Sequence, residues 1–255
     1  MVSSNGIKDW SGNTILITGG GSGIGLAFAK RMLNDGNRVI LVGRRKQLLE
    51  HVKCENKGFE IIVGDVATEE SRIQLAKTVI ELYPDVNIII NNAGIQREIK
   101  MEKESQSPWK TTQSEVDINL CGPIHLSMLF MDHLMKKPNA AIGFVTSGLA
   151  FVPHVKFPIY AATKSALHSY CWSLREQLKP FNIKVLEIVP PAIHTDLNPE
   201  LAKIGMDLQV FCDSVYERLK NGEQEVGYGF SQNGIDSFKQ SYLGPFQSLN
   251  KNVHD

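Results

Sequence analysis

The sequence has no surplus of either charge, no long apolar run and no closely spaced metal ligands. Lys+Arg and Asp+Glu both total 27 among the 255 residues, which gives a formal net charge of zero. Balanced charge does not indicate a nucleic-acid partner or an anionic membrane surface. No window reaches the roughly 18 apolar residues of a membrane span, so no membrane partner is expected. The seven histidines show neither H-x-x-x-H spacing nor a cysteine partner, and no metal site is predicted.

Cysteine is scarce and never closely spaced. The four cysteines show no C-x-x-C spacing, which excludes a common metal or redox motif, and we expect four free thiols: Cys54, Cys121, Cys171 and Cys212. The polar arm 1–11 has no apolar stretch resembling a signal peptide. A reducing compartment is therefore expected, with the cytoplasm as the default location.

Short β-branched runs alternate with longer segments of helical period. The runs predict strands at 14–17, 38–42, 60–63, 86–90, 141–145 and 183–189. The longer segments predict helices at 25–33, 46–56, 68–82, 111–135, 160–179 and 208–220. The strands are almost continuously apolar, as expected when helices cover both faces of a parallel sheet. The pattern predicts an α/β fold over 1–255, a single domain with a doubly wound parallel sheet.

Three stretches without a clear pattern follow predicted strands, at 95–108, 149–159 and 195–206. In open α/β sheets, ligands bind at the carboxyl ends of the strands. We therefore expect the substrate to meet these three loops. The C-terminal segment 231–255 gives no clear structural prediction.

A glycine-rich segment, T-G-G-G-S-G-I-G at 18–25, follows the first strand and opens a helix. Its glycines allow a tight turn and let a pyrophosphate approach the backbone amides at the helix N-terminus. A turn that only packs the helix on the strand is the alternative. The predicted dinucleotide contacts here are Gly19, Gly21, Ser22, Gly23, Ile24 and Gly25.

The spacing T-G-x-x-x-G-x-G resembles the short-chain dehydrogenase/reductase family, and further motifs in order strengthen the resemblance. An Asn-Asn-Ala-Gly run ends the fourth strand at 91–94, followed by Asn119, Ser147 and a Tyr160-x-x-x-Lys164 pair. The resemblance covers about residues 14–195. Within the family, S-G-L-A-F-V-P at 147–153 and P-P-A-I-H-T at 190–195 are similar to the DltE-like oxidoreductases. The resemblance to the family implies a Rossmann fold and a nicotinamide-dependent oxidoreductase.

Each motif residue has a chemical reason in carbonyl reduction. Hydride addition builds charge on oxygen, so an acid must supply a proton, and free tyrosine, with a pKa of about 10, is too weak. Lys164 lies at i+4 from Tyr160, where an ammonium favours the phenolate and can reach the nicotinamide ribose. Ser147 can hold the substrate oxygen as a donor. By resemblance, Asn119 disturbs its helix and holds a water that relays protons to Lys164. For an unaccompanied Tyr-Lys pair, the alternative is a half-buried aromatic and a solvated charge.

Further cofactor contacts follow from the resemblance. Asp65, followed by Val66, matches the position that binds the adenine amino group, although a helix cap is the alternative for Asp65. Asn91, Ala93 and Gly94 match positions that shape the cofactor pocket.

The sequence departs from the family after the sixth strand, where Pro190-Pro191 replaces the usual Pro-Gly. Proline loses glycine's conformational freedom and a backbone donor, so the loop geometry does not carry over by analogy. Pro190, Ile193 and Thr195 are still expected to contact the nicotinamide.

The end of the second strand, Gly43-Arg44-Arg45, is where the adenosine ribose should arrive. NAD-specific relatives place an acid there, whereas a guanidinium pairs with a 2′-phosphate through charge-assisted bonds. The sequence therefore predicts NADP(H) over NAD(H), with Arg44 as the main determinant and Arg45 as the second. Solvated arginines at the start of the next helix are the alternative.

These features predict an NADP(H)-dependent carbonyl reductase or alcohol dehydrogenase acting on a small molecule. Ser147, Tyr160, Leu149 and His154 are the expected substrate contacts, with a plain loop role as the alternative for His154. An apolar pocket favours a hydrophobic ketone, aldehyde or diketone, and its expected members are Leu149, Phe151, Val152, Phe157, Leu197 and Met206. A cofactor-binding regulator and a structural partner are the competing functions. As in dimerising relatives, helices 111–135 and 160–179 are expected to pair copies into a homodimer or homotetramer.

Overall fold

Continuous apolar runs form a seven-stranded parallel sheet in the part of the chain that the structure describes. The structure, a computed structural model, describes residues 7, 9–104, 108–195, 197 and 205–251. The strands lie in the order β3-β2-β1-β4-β5-β6-β7. Their bounds are β1 Thr14–Thr18, β2 Arg38–Gly43, β3 Phe59–Val63, β4 Val86–Asn91, β5 Ala141–Val145, β6 Lys184–Val189 and β7 Glu225–Gly227.

Helices cover both faces of this sheet. They are α1 Gly23–Asn34, α2 Lys46–Glu55, α3 Glu69–Leu82, α4 Met101–Glu104, α5 Trp109–Val116, α6 Gly122–Leu134, α7 Pro158–Gln177, α8 Leu208–Lys220 and α9 Phe230–Leu249. Phe28 of α1 and Phe211 of α8 belong to the core on one face. Phe130 of α6 and Leu167 of α7 belong to the core on the other. The prediction of a doubly wound parallel α/β sheet is confirmed, and that of one domain over 1–255 stays a prediction.

The predicted helix at 111–135 is interrupted. Between α5 and α6 lies a five-residue π-helical turn, Asp117–Cys121. Pro123 sits in the first turn of α6 and has no amide hydrogen to donate to the carbonyl four residues earlier. The regular ladder therefore fails at residue 119. The turn contains Asn119, one of the residues predicted to be catalytic.

Three elements were not predicted from the sequence, among them the one-turn helix α4 in the stretch 95–108 that showed no clear pattern. β7 has only three residues and pairs with β6 through the register Glu187↔Glu225. α9 occupies the segment left without a prediction, of which residues 252–255 lie outside the described residues. Its sequence contains Gly234, Gly244 and Pro245, which disfavour a helix locally. Aromatic contacts with α7 hold it, among them Phe238 and Phe246 against Trp172.

The cysteine prediction is confirmed, since all four cysteines are free and Cys171 and Cys212 are buried. Among the described residues, no helix combines the length and the apolar character that crossing a membrane would require.

Candidate active site

A cavity of about 720 Å³ runs along the carboxyl edge of the sheet. This volume is in the range of about 300–1,000 Å³ that is typical of ligand pockets. Arg44 and Arg45 line one end, and Ser147 and Tyr160 line the other. The cavity therefore joins the predicted cofactor positions to the predicted catalytic ones.

The glycine-rich turn and the Asn-Asn-Ala-Gly run are locked together. Thr18 Oγ1 accepts hydrogen bonds from the amides of Asn92 and Ala93, both at 3.1 Å. Gly19 has a φ of +66°, and a Cβ there would lie 2.9 Å from the Cα of Ala93. The backbone at position 19 can approach Ala93 this closely only because the residue is glycine. The turn then stays open toward the cavity. Asn92, which the sequence analysis did not single out, lines the cavity and donates to Thr18 O at 2.9 Å.

Most predicted cofactor positions line the cavity, and two do not. Those that line it are Gly19, Gly21, Ser22, Gly23, Ile24, Arg44, Arg45, Asp65, Val66, Ala93, Gly94, Lys164, Pro190, Ile193, Thr195 and Tyr160. Gly25 lies behind the turn, where a Cβ would overlap the Asn92 side chain, so its role there is packing. Asn91 is also buried behind the cavity, with its amide 3.4 Å from Gly143 O.

The N-terminus of α1 opens into the cavity without a side-chain cap. Its N-cap residue, Ser22, makes no capping hydrogen bond, and the first turn holds no acidic residue. Uncapped amides at a helix N-terminus form an anion site. Arg45 adds positive charge, since its Nη2 donates to Ser22 Oγ at 3.2 Å. This end of the cavity is suited to a phosphate group.

Asp65 faces the cavity instead of capping α3. The cap is Thr68, whose Oγ1 accepts a hydrogen bond from Ser71 N at 3.3 Å. Asp65 Oδ1 accepts from Ala67 N at 3.0 Å, which orients the carboxylate at the end of β3. The helix-cap alternative is therefore not what the structure shows.

Tyr160, Ser147 and Lys164 come together at the other end. Tyr160 and Lys164 are 7% and 3% exposed. Burial raises the pKa of Tyr160 to about 12, while its hydrogen bond with Ser147 acts in the opposite direction. Burial lowers the pKa of Lys164 to about 8, and Cys171 and then Glu187 act in the opposite direction.

The expected effect of Lys164 on Tyr160 is absent from this arrangement. Lys164 Nζ donates to the carbonyl of Val145 at 2.7 Å and lies 5.5 Å from the centroid of the Tyr160 ring. The ammonium thus binds the end of β5 instead of the phenol oxygen. Burial then dominates, and the pKa of Tyr160 rises instead of falling.

Asn119 holds the loop that follows Gly94. Its Nδ2 donates to Ile95 O at 2.8 Å, and its Oδ1 accepts from Ile95 N at 2.9 Å. The π-helical turn presents this side chain, as the expected helix disturbance implies. Asn119 is fully buried and does not line the cavity. A Cβ at Gly94 would lie 3.2 Å from Asn119 Oδ1 and 3.8 Å from Lys164 Nζ, so glycine lets the three meet.

Leu149 and His154 line the substrate end of the cavity, as expected, together with Leu197. Phe230, the first residue of α9, also lines it. No sequence pattern indicates Phe230, because its place depends on a helix whose local pattern is weak. At Gly148, a Cβ would overlap Ser231 Oγ and lie 3.2 Å from the Phe230 ring, so α9 presses on the residue after Ser147.

The predicted apolar pocket is partly wrong. Phe151 turns away to contact His168 and Phe238, and Phe157 is buried at the start of α7. Met206 packs on the core, where its backbone bonds to residues 192 and 194. Val152, at 50% exposed, is outside the cavity lining. Part of the predicted loop at 195–206 lies outside the described residues, namely 196 and 198–204.

The family model for short chain dehydrogenases matches residues 13–204. The chain belongs to the short-chain dehydrogenase family. Its match begins at the first strand and includes every position predicted to be catalytic. Membership makes the chain an oxidoreductase, and the fold and the family prediction are confirmed.

Curated relatives support this assignment. The uncharacterized oxidoreductase DltE of Bacillus subtilis is 39% identical over 244 residues, which are 93% of this chain and 96% of that protein. Serine 3-dehydrogenase of Rhizobium radiobacter is 30% identical over 205 residues, 80% of each chain. The predicted similarity to DltE-like oxidoreductases is confirmed.

Solved structures of short-chain dehydrogenases share the fold. A short-chain dehydrogenase from Burkholderia cenocepacia, in complex with NADP, has a TM-score of 0.78 at 22% identity and covers 97% of this chain and 99% of its own. A second from Streptomyces avermitilis has a TM-score of 0.78 at 22% identity, covering 96% and 99%. At this identity the likeness shows the fold alone.

Proposed function

We propose that this short-chain dehydrogenase is an NADP(H)-dependent carbonyl reductase, or the matching alcohol dehydrogenase, with Tyr160 as the proton donor and acceptor. One observation carries the proposal. The buried Tyr160 and Ser147 side chains line one end of a cavity whose other end has the open N-terminus of α1 and two arginines.

The residues present fit a nicotinamide dinucleotide phosphate. The uncapped amides of α1 would hold the pyrophosphate, and Asp65 would accept from the adenine amino group. Ile193 and Thr195 would contact the nicotinamide end, near Lys164. Structures in complex with NADP or NADPH among the fold neighbours agree with this assignment. When bound, the reduced nicotinamide supplies a hydride to the carbonyl carbon.

The chain supplies the proton that the carbonyl oxygen must take up. At neutral pH, Tyr160, with a pKa of about 12, carries its proton. Ser147 lies beside it as a second donor that stabilises the developing charge on oxygen. Both hydroxyls occupy a buried site, where such hydrogen bonds are stronger than in water. Proton donation by Tyr160 then completes the alcohol, and the reverse reaction uses the same group as the base.

Arg44 and Arg45 support the preference for NADP(H). Both are exposed at the cavity wall, and within the described part of the chain neither forms a salt bridge with a carboxylate. Two guanidinium groups without a carboxylate partner at the ribose end suit a 2′-phosphate.

The substrate end favours an apolar carbonyl compound. Leu149, Leu197 and Phe230 line it, with His154 as a polar neighbour. A hydrophobic ketone, aldehyde or diketone fits these side chains better than a charged metabolite.

A turnover screen tests the proposal. Purified protein is mixed with NADPH and a panel of aliphatic and aromatic ketones, aldehydes and diketones, and the loss of NADPH absorbance is followed. We expect oxidation of NADPH with at least one hydrophobic carbonyl and much less with the Tyr160→Phe variant. Tight NADPH binding by fluorescence without turnover on any compound would instead favour a cofactor-binding regulator.

A further inference from the structure

A buried charged cluster lies directly behind the catalytic residues. α7 places Tyr160, Lys164, His168 and Trp172 at successive i,i+4 positions, which lie on one face of the helix. All four side chains are buried. This face meets two carboxylates, Glu187 and Glu225, which are partners in the β6–β7 register.

Glu187 is oriented by two donors from different elements. Its side chain has no exposed surface, and its Oε1 accepts from Thr146 Oγ1 at 2.8 Å. His168 Nδ1 lies 2.9 Å from Oε1 and 3.1 Å from Oε2 of the same carboxylate. Because a carboxylate can only accept, Nδ1 carries the proton. The rings of Phe151 and Phe238 contact the imidazole and hold it in this orientation.

Glu225 differs because it has its own cation. Lys239 Nζ of α9 lies 3.0 Å from Glu225 Oε2, and Trp172 Nε1 donates to Oε1 at 3.3 Å. His168, Glu187 and Glu225 have the donor types of a metal site. Protein donors already occupy their oxygens, so we propose no metal there.

The connection to catalysis runs through Thr146. Thr146 stands between Val145, whose carbonyl accepts from Lys164, and Ser147. Glu187 therefore fixes Thr146, which lies between the carbonyl that binds Lys164 and the hydroxyl of Ser147. Its negative charge also favours the ammonium form of Lys164, against the effect of burial.

We propose that Glu187 is a positioning residue, whose buried carboxylate, oriented by His168 and Thr146, holds the backbone just after β5 between Val145, to which Lys164 binds, and Ser147. This rests on the proposed function, because it gives Glu187 a part in the same proton transfer. The negative charge of Glu187 acts on the same lysine, which makes the pKa of Lys164 a readout of this role.

Other charged and titratable groups pack around Lys164 and Glu187 from several elements. They are Tyr160, His168, Cys171 and Arg175 of α7, Glu225 of β7, Lys239 of α9 and Glu115 of α5. Glu225 is paired with Lys239, and Glu115 lies on the Tyr160 side. Glu187 is therefore the carboxylate whose removal should change the proton affinity of Lys164 most.

The Glu187→Gln variant isolates the charge. Glutamine keeps an acceptor oxygen for Thr146 and His168 but removes the anion, so the pKa of Lys164 should fall. We expect the alkaline limb of the kcat–pH profile for carbonyl reduction to move to lower pH by about 0.5 unit or more. The matched control is Glu225→Gln, a neighbouring buried carboxylate with its own lysine, and its limb should stay in place. Superimposable wild-type and Glu187→Gln profiles would overturn the proposal, as would equal shifts in both variants.

A second measurement is independent of turnover. Acetylation of Lys164 by trace acetic anhydride is followed against pH by mass spectrometry, and Glu187→Gln should show half-maximal reactivity at lower pH than wild type. An unchanged midpoint would refute the role of Glu187, whereas a wild type without turnover would contradict only the proposed function. If Glu187→Gln does not fold, the Glu187→Met/His168→Leu double variant replaces the pair by apolar groups of similar size, which is often tolerated. This double variant should show the same shift of the Lys164 midpoint to lower pH, and an unchanged midpoint would contradict the proposal.

Discussion

Lys164 Nζ donates a hydrogen bond to the carbonyl of Val145 at 2.7 Å, at the end of β5 and two residues before Ser147. The ammonium is thereby tied to the sheet and lies 5.5 Å from the centroid of the Tyr160 ring. These two neighbouring buried groups have opposite pKa shifts. Tyr160 holds its proton more tightly than free tyrosine, and Lys164 holds its proton less tightly than free lysine.

The Tyr160→Phe variant should lose most of its hydride-transfer rate while retaining cofactor affinity. The ring still fills its place in α7, but the acid is gone, and general acid catalysis contributes roughly 10²–10⁴-fold. The rate at saturating substrate and NADPH binding by fluorescence measure the two effects. Tyr170→Phe, on the same helix, is the control and should keep wild-type rates. A Tyr160→Phe rate above about a tenth of wild type would show that another group is the acid.

Carbonyl reduction should slow as pH rises through about 8, because Lys164 then loses its charge. Tyr160, with a pKa of about 12, stays protonated over this range and cannot cause the decline. A profile of kcat between pH 6 and pH 10, with NADPH saturating, is the measurement. A rate that stays flat to pH 10 would contradict a role for the ammonium.

The Lys164→Met variant should be inactive yet more stable than wild type. The pKa of Lys164 falls from 10.5 to about 8, so its buried charge costs about 3 kcal/mol at neutral pH, a cost that fades as pH rises through that interval. The variant also leaves the Val145 carbonyl without its donor, which costs about 1–2 kcal/mol. The free energy of unfolding should then rise by a net amount of about 1–2 kcal/mol. Thermal unfolding at pH 7 tests this, with Lys156→Met, at an exposed lysine, as the control. A lower melting temperature for Lys164→Met would be the opposite of the expectation.

The Arg44→Asp variant should raise the KM for NADPH strongly and leave NADH use unharmed or improved. The change removes the partner of the 2′-phosphate and adds a carboxylate that repels it. Lys46→Asp introduces the same change in charge at an exposed residue outside the cavity lining, and it should alter neither constant by much. Saturation curves for both cofactors on each protein are the measurement. Equal use of the two cofactors by wild type would mean that these arginines do not recognise the phosphate.

Self-association through α7 gives a further test. Ala162, Ala166 and Ser169 are exposed on its outer face, whereas Ala161 faces the sheet. We expect wild type to be a dimer or tetramer and Ala166→Arg to shift it toward the 28.4 kDa monomer. Light scattering measures this, with Ile73→Arg, on α3, as a control at another exposed apolar residue. A monomeric wild type at micromolar concentration would exclude the predicted assembly.

The strands and most helices were predictable because their apolar pattern is local. Buried runs such as Val86–Asn91 are readable without any partner. β7 was not, since three residues that include a glutamate show no strand pattern, and its place depends on pairing with β6. α9 was missed because Gly234 and Pro245 weaken its local signal while contacts with α7 stabilise it.

The site divides in the same way. The spacing of the motifs indicated Ser147, Tyr160 and Lys164, which the cavity brings together. It could not show that Lys164 contacts Val145, because that depends on how deeply the helix packs against the sheet. The pairing of His168 with Glu187 likewise joins a helix to a strand, and neither residue has a spacing that predicts the other.

The contact between α9 and Gly148 fixes the order in which the cavity can be completed during synthesis. The glycine-rich turn, both arginines and the run 91–94 that holds the turn belong to the first 94 residues, which are made before most of the chain. Phe230 and Ser231, which press on the residue after Ser147, emerge from the ribosome long afterwards. A nascent chain halted before residue 230 would therefore have its phosphate-binding turn but an open wall beside the reacting hydroxyls.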